Sequence, residues 1–229
     1  MATAAFDAYA QNYDAALNQG LSISGEGKDF FAAGRVRWLA RRLKQLQRVP
    51  SSILDFGCGT GSAAEHLVSE LQPHALTGID ISPESLEVAR RTHHAAGVQF
   101  MLASDYRPRA EIDLVFTNGV FHHIPPKDRH ASIELIRNAL KPGGLFAFWE
   151  NNPWNPGTRY VMSRVPFDRD AIMVWPHAFR KQLRQSGFDV ISTDYQFIFP
   201  RFLAPLRVVE PALARFPFGA QYLILAKKK

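Results

Sequence analysis

The run Ile53-Leu54-Asp55-Phe56-Gly57-Cys58-Gly59-Thr60-Gly61 decides the reading of this chain. A short apolar strand over 52–56 delivers the backbone to a turn where three glycines permit close approach to a ligand. A helix over about 61–71 starts directly behind it, so its free N–H groups face the same crevice. At the end of the next strand, 75–80, stands Asp80. Its carboxylate is placed to accept both hydroxyls of a ribose outside the carboxyl ends of the strands. The turn departs from the dinucleotide fingerprint G-x-G-x-x-G/A. Ser62 holds the place of the last glycine, Gly61 comes one position early, and an acid, Asp55, precedes the turn.

Outward from this run, strand and helix alternate. The patterning predicts helices over 28–48 (stopped by Pro50), 83–95 with Pro83 in its first turn, and 128–140. Further strands are expected over 98–102, 112–117 and 145–149. Such alternation implies a parallel sheet covered on both faces. Beyond 150 the pattern changes. Residues 151–157 hold two prolines and a glycine and read as a loop. A helix over 176–186 ends at Gly187, and strands over 188–198 and 219–226 read as an antiparallel edge. Towards the other end, 4–18 reads as a short helix and 20–27 as a glycine-bearing loop. The expected units are a helical cap over 1–50 and a core over 51–229.

Hydrophobic residues make up 46% and charged residues 21%, values of an ordinary globular domain. A single cysteine, Cys58, rules out a disulfide within the chain and fits a reducing compartment. The opening residues lack the basic and apolar regions of a signal peptide, and no apolar run approaches the ~20 residues of a membrane span. The expectation is a cytoplasmic protein. Residues 159–229 carry 12 Lys/Arg against 5 Asp/Glu, a net +7, while the rest of the chain nearly balances. That basic end reads as a solvated surface or as an attractor of anionic partners. The basic-aromatic motif of a nucleic-acid module does not accompany it.

LDFGCGTG (54–61), GIDIS (78–82), ASDY (103–106), DLVFTNGVFHHI (113–124) and LKPGGLFAFWE (140–150) resemble, in order, the five motifs of class I methyltransferases that use S-adenosylmethionine (SAM). YAQNYD (9–14) is similar to the N-terminal cap of small-molecule members, in which a tyrosine, here Tyr13, closes over SAM. The resemblance implies an α/β, Rossmann-like, doubly wound seven-stranded sheet of order 3-2-1-4-5-7-6 with its last strand antiparallel. It implies SAM as cofactor and S-adenosyl-L-homocysteine as product. Gly57, Cys58, Gly59 and Gly61 would admit the methionine part of SAM, with Asp55 holding its amino group. Asp80 would bind the ribose, and Ile81 would pack on adenine. Ser104, Asp105 and Tyr106 would meet the adenine edge. Asn118 and Gly119 would line the wall near the sulfonium. SAM has no pyrophosphate, so an acid before the turn is tolerable where a dinucleotide would be repelled.

The sulfonium is a strong electrophile, and the protein need only align donor and acceptor, exclude water and take up a proton. His122 and His123 follow the fourth strand at the crevice edge and are the catalytic candidates, His123 first; the alternative is that they satisfy backbone groups. Cys58 reads as packing inside the turn. The segment Asn118-Gly119-Val120-Phe121 lacks the Asn/Asp-Pro-Pro-aromatic motif of base-modifying amino-methylases, which disfavours nucleic acid as acceptor. On the acceptor side, Asn151 and Asn152 offer amides and Trp154 a ring for stacking, or the three build an Asn/Pro turn. Arg35 and His177 are further substrate candidates, and no metal is expected. Phe202, Leu206, Val209, Leu213 and Phe216 recur at helical spacing beside Arg201, Arg207 and Arg215, with Pro205 and Pro211 interrupting. They read as a segment packed on the sheet, or as a lid or interfacial patch for a lipid-like acceptor. The expected activity is SAM-dependent methylation of a small molecule, with aromatic and lipid-like acceptors among the candidates, at a hydroxyl oxygen first and with carbon and nitrogen acceptors left open. A quinone- or lipid-pathway methylase at carbon or oxygen, and a non-catalytic SAM-binding partner subunit, are the alternatives.

Overall fold

The computed structural model describes residues 24–165, 168 and 171–229. The expected 4–18 helix and Tyr13 lie outside the described residues. Seven strands form one sheet: β1 (Ser52–Phe56), β2 (Ala75–Asp80), β3 (Val98–Leu102), β4 (Ile112–Asn118), β5 (Leu140–Asn151), β6 (Phe188–Gln196) and β7 (Gln221–Lys228). Their order is β3-β2-β1-β4-β5-β7-β6, and β7 runs antiparallel to both neighbours. The chain reverses its winding between β1 and β4, the place where open α/β sheets form a ligand crevice.

Alternation along each strand divides the core in two. Leu54, Val115, Phe146, Phe148 and Ile224 face one side, and Ile53, Leu114, Phe116, Ala147 and Leu225 the other. The described helices in chain order are α1 (Lys28–Gln45), α2 (Ala64–Leu71), α3 (Pro83–Thr92), α4 (Arg129–Ala139), α5 (Pro156–Arg164), α6 (Pro176–Gln185) and a single turn, α7 (Glu210–Leu213). Val36, Leu39 and Leu43 of α1 join Leu67 of α2 and Leu86 of α3 in one core, while Ile133 and Ile136 of α4 and Phe179 and Leu183 of α6 fill the other. Thus α1 covers the sheet as an integral layer. Within the described residues, no helix is long and apolar enough to cross a membrane.

Three departures from the sequence reading have local causes. The stretch after 151 contains a helix, because Asn155 caps α5 by accepting the Thr158 N–H at 2.9 Å and Pro156 starts its first turn. β5 runs well beyond 145–149, because Leu140 pairs with Ile112 ahead of a register shift. Between β6 and β7 the chain forms a 3-10 segment, Arg201–Val209, with no buried residue, followed by α7. The packing expected for that apolar stripe is therefore absent over 201–209.

Candidate functional site

The carboxyl ends of β1, β2, β4 and β5 and the start of β7 converge on one edge, and the candidate residues sit there. The glycine turn is pinned by Gly57 and Cys58 N–H groups donating to the Ile79 carbonyl at 2.8 and 3.1 Å. Gly57 has φ +74°, and a β-carbon on it would collide with the Val120 side chain. Gly59, φ +52°, has nothing within 4 Å of its missing β-carbon, so the turn presents bare backbone to open space. Asp80 closes the turn from the side: its carboxylate accepts the Gly59 N–H at 2.8 Å and the Ser82 N–H at 2.9 Å.

Asp55 lies buried beneath the turn. Burial first, then the negative charge of Asp80, raises its pKa to about 7, and Arg35 opposes the rise. Burial and the same two carboxylates push the Cys58 thiol well above its usual range, which leaves it a packing residue and no nucleophile. Past β3, Ser104 donates to Asp105 at 3.3 Å. Tyr106 is buried, its pKa raised to about 12 by burial and Glu111, and its phenol finds no hydrogen-bond partner among the described residues. Ile81 is exposed at the rim.

Next to the turn a cavity of about 410 Å³ opens, meeting it at Ser62, Asn118 and Gly119. Phe30, Phe31 and Phe197 form one wall, joined edge to face at 5.0 to 6.1 Å between centroids. Phe197 holds φ +64°, a conformation that costs a bulky residue on the order of 1–3 kcal/mol and occurs where surrounding structure imposes it. Polar groups enter from Arg35, which donates to Gln221 at 3.0 Å, and from Asn151, which accepts from Gln221 at 3.3 Å.

A charged cluster forms the cavity floor. Nδ1 of His122 lies 2.7 Å from Glu150 Oε2, and its Nε2 lies 3.3 Å from Asp168 Oδ1. His123 Nε2 lies 3.4 Å from the same Asp168 oxygen, with the two imidazole centroids 4.0 Å apart. Burial alone would lower the His122 pKa, but Glu150 and Asp168 outweigh it and raise it to about 10. His122 is thus an imidazolium. Burial and that neighbouring charge lower His123 to about 4, so it stays neutral. Glu150, against its burial, is held below the usual carboxylate range by His122 and by the N–H groups of Asn151 and His122. Arg129 braces the loop by donating to the carbonyls of Phe121, Ile124 and Ile172 at 3.1, 3.0 and 2.7 Å.

Arg35, Asn118, Gly119, His122, His123 and Asn151 therefore line one cavity. Asn152, Trp154 and His177 do not. The Asn152 side chain donates to Pro217 and Gly219 carbonyls at 3.0 and 2.7 Å and accepts the Trp154 N–H at 3.1 Å, which occupies it in tying β5 to the β6–β7 connection. Trp154 stacks with His177 beside Trp175 in an exposed aromatic group. The sequence reading missed Glu150 and Asp168 as partners of the histidines. A carboxylate ending the apolar run Leu145-Phe146-Ala147-Phe148-Trp149 was a signal for the first. Nothing local marked the second.

The sheet order is that of the class I methyltransferase fold, and known proteins agree with it. A profile of the methyltransferase domain family matches residues 53–144. The chain is 30% identical over 182 residues to carboxy-S-adenosyl-L-methionine synthase of Chromohalobacter salexigens, covering 66% of each. It is 36% identical over 139 residues to trans-aconitate 2-methyltransferase of Methylobacterium nodulans, covering 59% of this chain and 52% of the relative. The chain thus spans about half to two thirds of the length of the curated relatives it matches. In fold it resembles a chain from the complex of the Haloferax volcanii Trm112 methyltransferase activator with a methyltransferase, with TM-score 0.64, 21% identity and 97% and 96% coverage. The chain belongs to the class I SAM-dependent methyltransferases.

Proposed function

We propose that the protein transfers the methyl group of SAM to an oxygen of a small amphiphilic acceptor held in the 410 Å³ cavity. One observation carries the reading. Two like-charged carboxylates, Asp55 and Asp80, flank a glycine turn whose exposed backbone adjoins, through Ser62, Asn118 and Gly119, an aromatic cavity floored by a neutral histidine. The mutual repulsion of the two acids is relieved by a cationic ligand and aggravated by a pyrophosphate, which favours SAM over a dinucleotide.

SAM, when bound, supplies an electrophilic methyl group. Every other contribution comes from the chain. Asp80 holds the ribose, Asp55 the amino group, and Asp105 the adenine edge, with Tyr106 buried in the core beside it. Asn118 and Gly119 form the wall between cofactor and acceptor. The rings of Phe30, Phe31 and Phe197 exclude water and take the apolar body of the acceptor, while Arg35 and Asn151 meet its polar end. His122 cannot act as base, since it already carries a proton between two carboxylates. His123 is neutral and faces the cavity, so it accepts the acceptor's proton as the carbon–oxygen bond forms, and Asp168 stabilises the resulting charge.

The test is methyl transfer from isotopically labelled SAM to parallel panels of hydroxylated aromatics, medium-chain acids and alcohols, and amines, followed by mass spectrometry. Label in oxygen-linked products of amphiphiles supports the reading. Label confined to amines overturns the acceptor chemistry, and no SAM binding by calorimetry overturns the whole.

A further inference from the structure

The 3-10 segment Arg201–Val209 and the chain that follows it are apolar where they should be polar. Phe202 is 79% and Val208 81% exposed, and Leu206, Val209, Phe216 and Phe218 are also exposed. Phe216 and Phe218 lie 5.9 Å apart with their rings nearly parallel, and each is more than half exposed. A contiguous run of this kind on a folded chain marks a surface that meets something.

The charge around it says what. Arg201 and Arg215 lie exposed along the segment, Arg215 also 3.5 Å from the buried Asp194 of β6, and the segment's one acid, Glu210, is buried, accepting the N–H groups of Ile198 and Phe199 at 3.1 and 2.8 Å. Helix α5, which shares the cavity wall, adds Arg159 and Arg164, with no acid anywhere in 151–164 and Tyr160 exposed beside Arg164. Phe202 is largely exposed and also lines the cavity, so the apolar surface runs over the rim into the site. Arg207 fastens the segment to the cavity's other side, pairing with Glu26 at 2.9 Å and lying 4.5 Å over the Phe30 ring.

We propose that the exposed face of 201–218, with the arginines of α5, docks on an anionic lipid bilayer and admits an amphiphilic acceptor over the Phe202 rim. Apolar side chains enter the acyl boundary while arginines meet lipid phosphates, the combination by which a protein without a spanning helix binds a membrane surface reversibly. The proposal rests on the amphiphilic acceptor argued above, but its test needs no turnover.

The full chain is sedimented with vesicles of phosphatidylcholine alone and of phosphatidylcholine with phosphatidylglycerol. Binding is expected to the anionic vesicles, weakening as salt rises. Val208→Glu and Phe218→Ser, both outside the cavity lining, are each expected to reduce it about tenfold. Both variants should keep wild-type SAM affinity, which shows that they fold. Sedimentation with neither vesicle, equal sedimentation with both, or undiminished binding by both variants would overturn the proposal. So would a stable dimer in analytical ultracentrifugation that Val208→Glu dissolves, because the face would then join two copies. Failure here with methyl transfer to a soluble acceptor intact refutes the docking alone; loss of SAM binding refutes the function itself.

Discussion

Glu150→Gln isolates the group on which the catalytic floor depends. The carboxylate is 1% exposed and accepts the Phe121, His122 and Asn151 N–H groups at 2.9, 3.2 and 3.1 Å, besides the His122 ring at 2.7 Å. Glutamine keeps the shape but removes the charge, leaving the His122 imidazolium only Asp168. Breaking a buried pair from one side costs about 3–5 kcal/mol. The titration of His122 gives a similar figure: a rise from 6.5 to about 10 corresponds to about 5 kcal/mol, shared between Glu150 and Asp168. The sign follows from proton uptake. Folded His122 keeps a proton that the unfolded chain releases between 6.5 and about 10, so its stabilisation is complete below 6.5 and is lost as pH rises through about 10. Urea denaturation at a series of pH values should show wild-type stability falling on the alkaline side. The variant should be weaker by about 3–5 kcal/mol at neutral pH, with a smaller alkaline fall. A loss under about 1 kcal/mol, or parallel pH profiles, would refute the charged-pair account.

Three further outcomes are expected. Asp80→Ala should weaken SAM binding about 10- to 100-fold by calorimetry, and an unchanged affinity with a normal circular dichroism spectrum would retire the ribose assignment. Wild-type affinity for SAM should rise about tenfold between roughly pH 5.5 and 7, as Asp55 ionises around its raised pKa of about 7, while Asp55→Asn should bind weakly and independently of pH; a flat wild-type profile would disprove the pairing. His123→Ala should lower turnover at saturating SAM at least about tenfold with SAM affinity unchanged. In the wild type, turnover should stay level between the titrations near 4 and 10, and an inflection near 6.5 would show that neither histidine has the environment described.

What the sequence disclosed was whatever is encoded locally. The glycines at 57, 59 and 61 announce their turn because the backbone there takes positive φ, and the apolar runs of β1 to β5 announce themselves by composition. Strand order came through the motif resemblance, not through periodicity. Helix α5 was hidden because Asn155-Pro156-Gly157 suits a loop as well as it suits an N-cap and first turn, and only the Thr158 N–H placed against Asn155 decides between them. Long-range pairings left no trace. Phe197 reads as one more strand aromatic, yet its strained backbone and its contact with Phe31 make it a cavity wall. Asn152 looked like an acceptor ligand because its amide follows β5; the carbonyls that occupy it come from a loop more than sixty residues away.

The histidine pair shows why such partners matter for mechanism. His122 and His123 have the same chemistry and adjacent positions, and an isolated reading grants both the same pKa near 6.5. The fold separates them by turning one ring between Glu150 and Asp168 and setting the other at the cavity, 3.4 Å from Asp168. Once His122 is charged, its field helps to hold His123 neutral 4.0 Å away, so one residue's protonation helps to fix the other's readiness to accept a proton. The division of labour is therefore a property of Glu150 as much as of either imidazole. Removing that carboxylate lowers the pKa of His122 and weakens the repulsion His122 exerts on His123, while it also withdraws from His123 the attraction of Glu150 itself.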